Sequence, residues 1–196
     1  MISYIKGEIT LKTPTYVILE TGGIGYHINI SLNTYAQIEK LERAKLLTHF
    51  IVREDSQTLY GFENGSERKL FGLLISVSGV GPNTAMVMLS TMTPDELKAA
   101  IIGENIIALK KIKGIGEKTA KRIIIDLKDK VVKENGDAPL TLLSSGNAHR
   151  EEALQALVTL GFNKMQVQKA LNKLIKMEAD IDSVEKLIKK ALRLLS

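Results

Sequence analysis

The sequence predicts a multi-domain α+β protein in which a β-rich first third is followed by helices to the end of the chain. Three observations predict it. Eight of the nine Phe and Tyr residues fall at or before Phe71, leaving Phe162 alone in the remainder, and aromatic side chains favour strands. The spacing of apolar residues changes from two to about 3.6 near Ser66. A pattern running from Leu74 to Met88 recurs from Leu109 to Ile123 with a constant offset of 35, the mark of a duplicated supersecondary unit.

In chain order, short strand-like runs come first: Ile2–Ile5, Glu8–Leu11, Thr15–Glu20, Tyr26–Ile30, Leu46–Val52 and Thr58–Phe62. Turn-forming residues separate them, among them Thr13-Pro14, Gly22-Gly23-Ile24-Gly25 and Arg53-Glu54-Asp55-Ser56. Only Asn33–Leu41 reads as a helix. With the first two runs joined as one bent strand, five strands and a short helix over residues 1–63 suit a small OB-like β-barrel, with an SH3-like barrel as the alternative. Helices are then expected over 66–77, 82–90, 94–102, 104–111 and 117–131, within a domain of residues 64–134. Thr93-Pro94-Asp95-Glu96 is a clear helix start, an N-cap followed by Pro and two acids. Residues 135–147 lose all periodicity and read as a flexible linker. Three amphipathic helices near 149–160, 164–176 and 183–195 complete a C-terminal three-helix bundle over 148–196.

Composition narrows the function classes. Among 196 residues there are 27 Lys and Arg against 22 Asp and Glu, a formal net charge of +5, and no Cys. Disulfide frameworks, thiolate zinc sites and a cysteine nucleophile are therefore excluded. No apolar run has the length of a membrane span, and Lys6 and Glu8 interrupt the N-terminal stretch that a signal peptide needs. A cytoplasmic protein without a membrane partner is expected. The basic excess lies mainly in residues 64–135, with 12 basic and 8 acidic side chains.

That zone contains the repeat. Each copy is a helix, a tight turn of Gly, an apolar residue and Gly, and a second helix: Gly79-Val80-Gly81 and Gly114-Ile115-Gly116. The glycines permit a sharp turn and a close ligand, and the apolar residue between them plugs the hairpin. Main-chain amides at the turn and at the start of the second helix then face outward with the positive end of the helix dipole behind them, which suits a phosphate. This is the tandem helix-hairpin-helix arrangement. Lys110, Lys111, Lys113, Lys118, Lys121 and Arg122 surround the second turn, whereas the first offers Pro82-Asn83-Thr84. Gly79, Gly81, Asn83, Gly114, Gly116 and those six basic residues are the candidate contacts to a DNA backbone. Past Phe71 the zone has no aromatic platform, which favours duplex over single-stranded ligands.

Gly114-Ile115-Gly116-Glu117-Lys118-Thr119 is not a nucleotide loop, because Glu117 precedes Lys118 and a helix leads in. No cofactor or metal site is indicated. Two other classes compete. A helix-hairpin-helix glycosylase or nuclease would need a base pocket or converging carboxylates, and Glu117, Asp126 and Asp129 read better as surface ion pairs. An adaptor whose basic face is incidental would bind no DNA at physiological salt.

Beyond the hairpins, the chain carries Met1-Ile2-Ser3-Tyr4-Ile5-Lys6-Gly7, Gly23-Ile24-Gly25-Tyr26, Arg53-Glu54-Asp55 with Leu59-Tyr60-Gly61-Phe62, and Ser76-Val77-Ser78 before the first turn. With these motifs, in this order and at this length, it resembles the RuvA family of Holliday junction-binding subunits over essentially its whole length. The resemblance implies a non-catalytic, sequence-independent scaffold for four-way junction DNA in recombination and repair. It also implies a homotetramer, single or as two stacked tetramers, carrying about +20 per tetramer at +5 per chain. Glu54 and Asp55 become an acidic pin at the junction centre. The C-terminal bundle becomes the docking module for RuvB, the hexameric ATPase, with Leu157, Leu160, Phe162 and Leu192 as the contact patch, and the RuvC resolvase becomes a further partner. Asn83, where the family commonly has a basic residue, and Lys113, where Pro often stands, are the departures.

Overall fold

Five strands, β1 (Tyr4–Lys12), β2 (Tyr16–Thr21), β3 (Ile24–Ile30), β4 (Arg43–Val52) and β5 (Gln57–Phe62), close on themselves in the order β1-β2-β3-β5-β4. Only β3 and β5 run parallel. Helix α1 (Leu32–Ile38) lies between β3 and β4, and this connectivity selects the OB form over the SH3-like alternative. In this computed structural model, residues 2–136, 145–177 and 183–195 are described, and the chain divides into two units, Met1–Gly136 and Asp137–Ser196.

Alternation places Ile5, Val17, Leu19, Ile28, Ile30, Leu46 and Leu59 inside the barrel. The two expected strand runs at the N-terminus are one bent strand. Its first half pairs with β4 from Tyr4 to Glu8, and its second half pairs with β2 from Glu8 to Lys12. At the exchange a Cβ on Gly7 would lie 2.2 Å from the Glu20 carbonyl oxygen, so only glycine lets the backbones approach this closely.

The remaining helices of the first unit are α2 (Gly65–Ile75), α3 (Pro82–Thr91), α4 (Pro94–Ile102), α5 (Ile106–Lys110) and α6 (Glu117–Gly136). They share one apolar cluster with Tyr60 and Phe62 of β5. Phe71 of α2 is its centre against the barrel. Its ring lies 5.0 Å from Tyr60, 5.1 Å from Phe62 and 5.3 Å edge-on from His49. Complete burial of Phe62 and Phe71 stabilises this seam by about 1.5–3 kcal/mol for each side chain. Burial, followed by the Arg68 charge, lowers the pKa of His49.

Helix α1 brackets the same seam. Lys12 places its ammonium on the carbonyls of Ile38, at 2.9 Å, and Leu41, at 2.8 Å, where the α1 dipole is negative. At the other end Ser31 caps the helix by accepting from the Thr34 amide. Ser31 and Thr34 both donate to the carboxylate of Glu67 on α2, Thr34 at 2.8 Å. Glu67 is fully buried, and burial raises its pKa against the lowering effect of the two hydroxyls, with Glu63 adding to the rise.

In the second unit α7 (Ser145–Thr159), α8 (Lys164–Met177) and α9 (Val184–Leu195) pack around Ala153, Leu154, Leu157, Val167, Leu171, Leu174, Leu187 and Ala191, the expected three-helix bundle.

Several boundaries differ from expectation. Helix α5 begins at Ile106, not 104, because Glu104 adopts a left-handed φ of 52° and Asn105 caps the helix by accepting from Ala108. Helix α6 continues past 131 to Gly136, and α7 starts at Ser145, with Ser145, Gly146 and Asn147 in a first helical turn that tolerates such residues. Residues 137–144 of the expected linker lie outside the described residues.

Burial raises the pKa of Glu67 in the folded chain, so the native state binds its proton more tightly than the unfolded chain does. The stability tied to that proton is complete below the unfolded carboxylate pKa and is lost as pH rises through the raised native value. Glu67→Gln, which keeps the neutral shape, should therefore gain on the unsubstituted chain between about pH 4 and about pH 8. Urea unfolding midpoints at the two pH values check this.

Candidate nucleic-acid interface

The repeat seen in the sequence is a repeat of main-chain geometry. In the first hairpin Val77 N–H donates to Leu74 at 3.1 Å, Val80 to Val77 at 3.0 Å and Ala85 to Gly81 at 2.9 Å. In the second, Ile112 donates to Leu109 at 3.2 Å, Ile115 to Ile112 at 3.1 Å and Ala120 to Gly116 at 2.9 Å. Gly79 and Gly114 have φ of 92° and 91°, a left-handed conformation that a Cβ disfavours. Val77, Val80, Ile112 and Ile115 are buried, so each turn is pinned from inside by its apolar plug.

Gly81 caps α3 without a side-chain hydrogen bond. Among the described residues, no acceptor takes the amides of Gly79, Gly81, Asn83 and Thr84, or of Gly114, Gly116, Lys118 and Thr119. Each turn thus presents a small nest of main-chain donors at a helix start. A Cβ on Gly114 would lie 4.0 Å from Thr84 Cγ2, which sets the second turn beside the start of α3.

The six basic residues are exposed but electrically unequal. Glu117 takes Lys121 at 2.8 Å and Lys110 at 3.5 Å, and Asp126 takes Arg122 at 3.7 Å. The Lys121 contact, then Lys110, holds the Glu117 carboxyl below the usual carboxylate range. Among the described residues no acid pairs with Lys111, Lys113 or Lys118. Those three supply the uncompensated charge. Glu117 and Asp126 are occupied by ion pairs.

Glu54 and Asp55 form the exposed tip of the β4–β5 hairpin, closed below by Arg53 N–H donating to the Ser56 carbonyl at 2.8 Å. A groove of about 440 Å³ runs from this stem to the first hairpin, lined by Asn29, Arg53, Ser56, Tyr60, Gly81 and Asn83 among others. Tyr60 donates its hydroxyl to Asn83 Oδ1 at 3.5 Å, and burial raises the pKa of that phenol despite the Arg53 charge. Reading the sequence brought out Asn83 but not Asn29, Arg53 or Tyr60 as its neighbours. No local signal links positions so far apart.

In the second unit, the four candidate apolar residues divide. Leu160 is 62% exposed and Leu157 is fully buried. Phe162 and Leu192 are half-buried against the bundle core, and Phe162 N–H donates to the Leu157 carbonyl at 3.2 Å. Leu157 therefore belongs to the core and corrects the expectation of a surface contact: it lies in one apolar cluster with Leu154 and Leu171, and Phe162 packs against that cluster.

Known proteins match along the chain. Residues 1–61 match the family model of the RuvA N terminal domain, residues 71–129 that of the SAM-like helix-hairpin-helix tandem, and residues 148–196 that of the RuvA C-terminal domain. The Holliday junction branch migration complex subunit RuvA of Christiangramia forsetii is 49% identical over 98% of this chain and 99% of its own length. The protein of that name from Parabacteroides distasonis is 50% identical over the whole of both chains, and one from Bacteroides fragilis is 48% identical over 98% of this chain and 99% of its own.

Gly79→Ala and Gly114→Ala should each cost about 1–2 kcal/mol, because alanine resists the left-handed turn although it meets no close atom. Gly81→Ala, at φ −83° in open space, should cost less than about 1 kcal/mol. Urea denaturation of the three variants separates backbone strain from crowding.

Proposed function

The chain belongs to the RuvA family, and from that premise we propose that it binds four-way DNA junctions without reading their sequence and holds them open for an ATP-driven partner. The observation that carries this is the pair of hairpins with matching main-chain geometry, each offering unpaired amides to a phosphate. Main-chain donors recognise the backbone that every DNA arm shares, so affinity follows phosphate geometry and salt rather than base sequence.

The work is divided along the chain. Residues 1–63 assemble a homotetramer, alone or as two stacked tetramers, and carry the acidic pin of Glu54 and Asp55. Residues 64–134 grip duplex arms through the amides of Gly79, Gly81, Gly114 and Gly116, through Asn83, and through the cluster of Lys110, Lys111, Lys113, Lys118, Lys121 and Arg122. Residues 135–147 connect them to the bundle at 148–196. The exposed Leu160 and the half-buried Phe162 and Leu192, with Leu157 in the core of the same bundle, take an apolar edge of the RuvB hexameric ATPase. The chain itself is non-catalytic and works in the cytoplasm, and the RuvC resolvase acts on the same junction. Carboxylates at the pin repel phosphates and keep four strands from collapsing on one another, while Arg53 at the stem draws the backbone toward the groove.

A gel-shift titration against a synthetic four-way junction and a matched linear duplex, at about 150 mM salt with excess competitor, tests the reading. A preference for the junction of about 100-fold is expected, and equal weak binding would refute it. Glu54→Gln with Asp55→Asn should erode that preference while duplex binding stays equal or rises. Lys118→Ala should weaken junction and duplex alike by about the loss of one phosphate contact, lowering the log–log salt slope by about 1.

A further inference from the structure

The barrel helix α1 touches both helices of the first hairpin through polar bonds. From its first turn, Asn33 Nδ2 donates to the carbonyls of Leu89 and Met92, the latter at 3.0 Å, and so satisfies the C-terminal end of α3. The Leu32 amide donates to Ser90 Oγ on α3 at 3.1 Å. On the other side, Ser31 and Thr34 donate to the buried Glu67 carboxylate of α2. At its far end α1 is tied to β1 by the Lys12 ammonium on the carbonyls of Ile38, its last residue, and of Leu41 just beyond. A hairpin that needed only stability could be held by the Phe71 cluster alone. These bonds instead define direction, because amide and hydroxyl contacts tolerate little rotation.

We propose that α1 is a positioning bracket, with Asn33, Ser90 and Glu67 as positioning residues that fix the angle of the first hairpin against the β4–β5 loop. It sets how far the Gly79–Gly81 amides stand from the Glu54–Asp55 tip. This rests on the proposed function: a four-way junction requires arm and crossover to be engaged together, whereas a linear duplex requires only the arm. Loosening the bracket thus lowers junction affinity and spares duplex affinity. Recognition sites generally need their groups held within about 0.5 Å and 10–20°, and an unbracketed helix pair pivoting on an apolar seam does not meet that.

The test uses the full chain with Asn33→Ala combined with Ser90→Ala, and separately Asn33→Asp, whose carboxylate repels the α3 carbonyls that the amide satisfied. Neither residue is fully buried, and a thermal melt of each variant fixes a temperature at which all chains are folded. At that temperature the junction-to-duplex affinity ratio is expected to fall about tenfold in the double variant and further in Asn33→Asp, with duplex affinity within about twofold of the unsubstituted chain. Asn33→Gln, which restores a donor, should recover part of the ratio. An unchanged ratio with only a lowered melting temperature would overturn the bracket and leave α1 as ordinary packing. If the unsubstituted chain shows no junction preference, the proposed function fails first and the bracket with it, an outcome distinct from a preference that survives the substitutions.

Discussion

Everything in the first unit that bears on DNA hangs on the insertion of Phe71 between Tyr60, Phe62 and His49. A barrel of five short strands buries little apolar area by itself, and two hairpins of short helices bury little more. Joined across this aromatic seam, Tyr60 and Phe62 serve the hairpin cluster while Leu59, the residue before Tyr60 on the same strand, serves the barrel interior. One strand thus feeds two cores through its alternation. The consequence is a shared frame in which the stem of the β4–β5 hairpin and the first Gly-Val-Gly turn line the same groove.

On that frame the two hairpins differ in what they bring. Their main-chain hydrogen bonds match one for one, yet the first presents amides and an asparagine while the second adds lysines. Glu117 and Asp126 cancel part of that charge, which leaves Lys111, Lys113 and Lys118 without an acidic partner among the described residues. Under the proposed function, short-range hydrogen bonding and long-range attraction are therefore partly assigned to different copies of one motif.

Local order was legible in the sequence wherever one period dominated. The strands, the hairpin turns and the Thr93 capping box, with Glu96 answering the Thr93 amide at 2.9 Å, lie where spacing and turn residues place them. What escaped depends on contacts between distant positions. Glu67 follows Asn64 by three residues, and Asn64 does accept from its amide at 2.9 Å, but the carboxylate itself turns away to Ser31 and Thr34. Asn33 and Ser90 carry no signal that pairs them. Leu157 and Leu160 sit on the same sequence stripe, and only packing decides that the first is core and the second is surface. Glu104, expected to open α5, stands outside it because its backbone takes a conformation that its side chain does not advertise.

The donors of Gly79, Gly81, Asn83 and Thr84 and of Gly114, Gly116, Lys118 and Thr119 belong to the peptide backbone, so exchange of neighbouring side chains for anything but proline leaves them in place. Under the proposed function, a lysine lost beside such a turn changes the strength of the grip and its salt response, while the grip's form persists. A recognition element written in main-chain atoms is buffered against mutation, and its surroundings are free to drift toward whatever ionic strength the cell maintains.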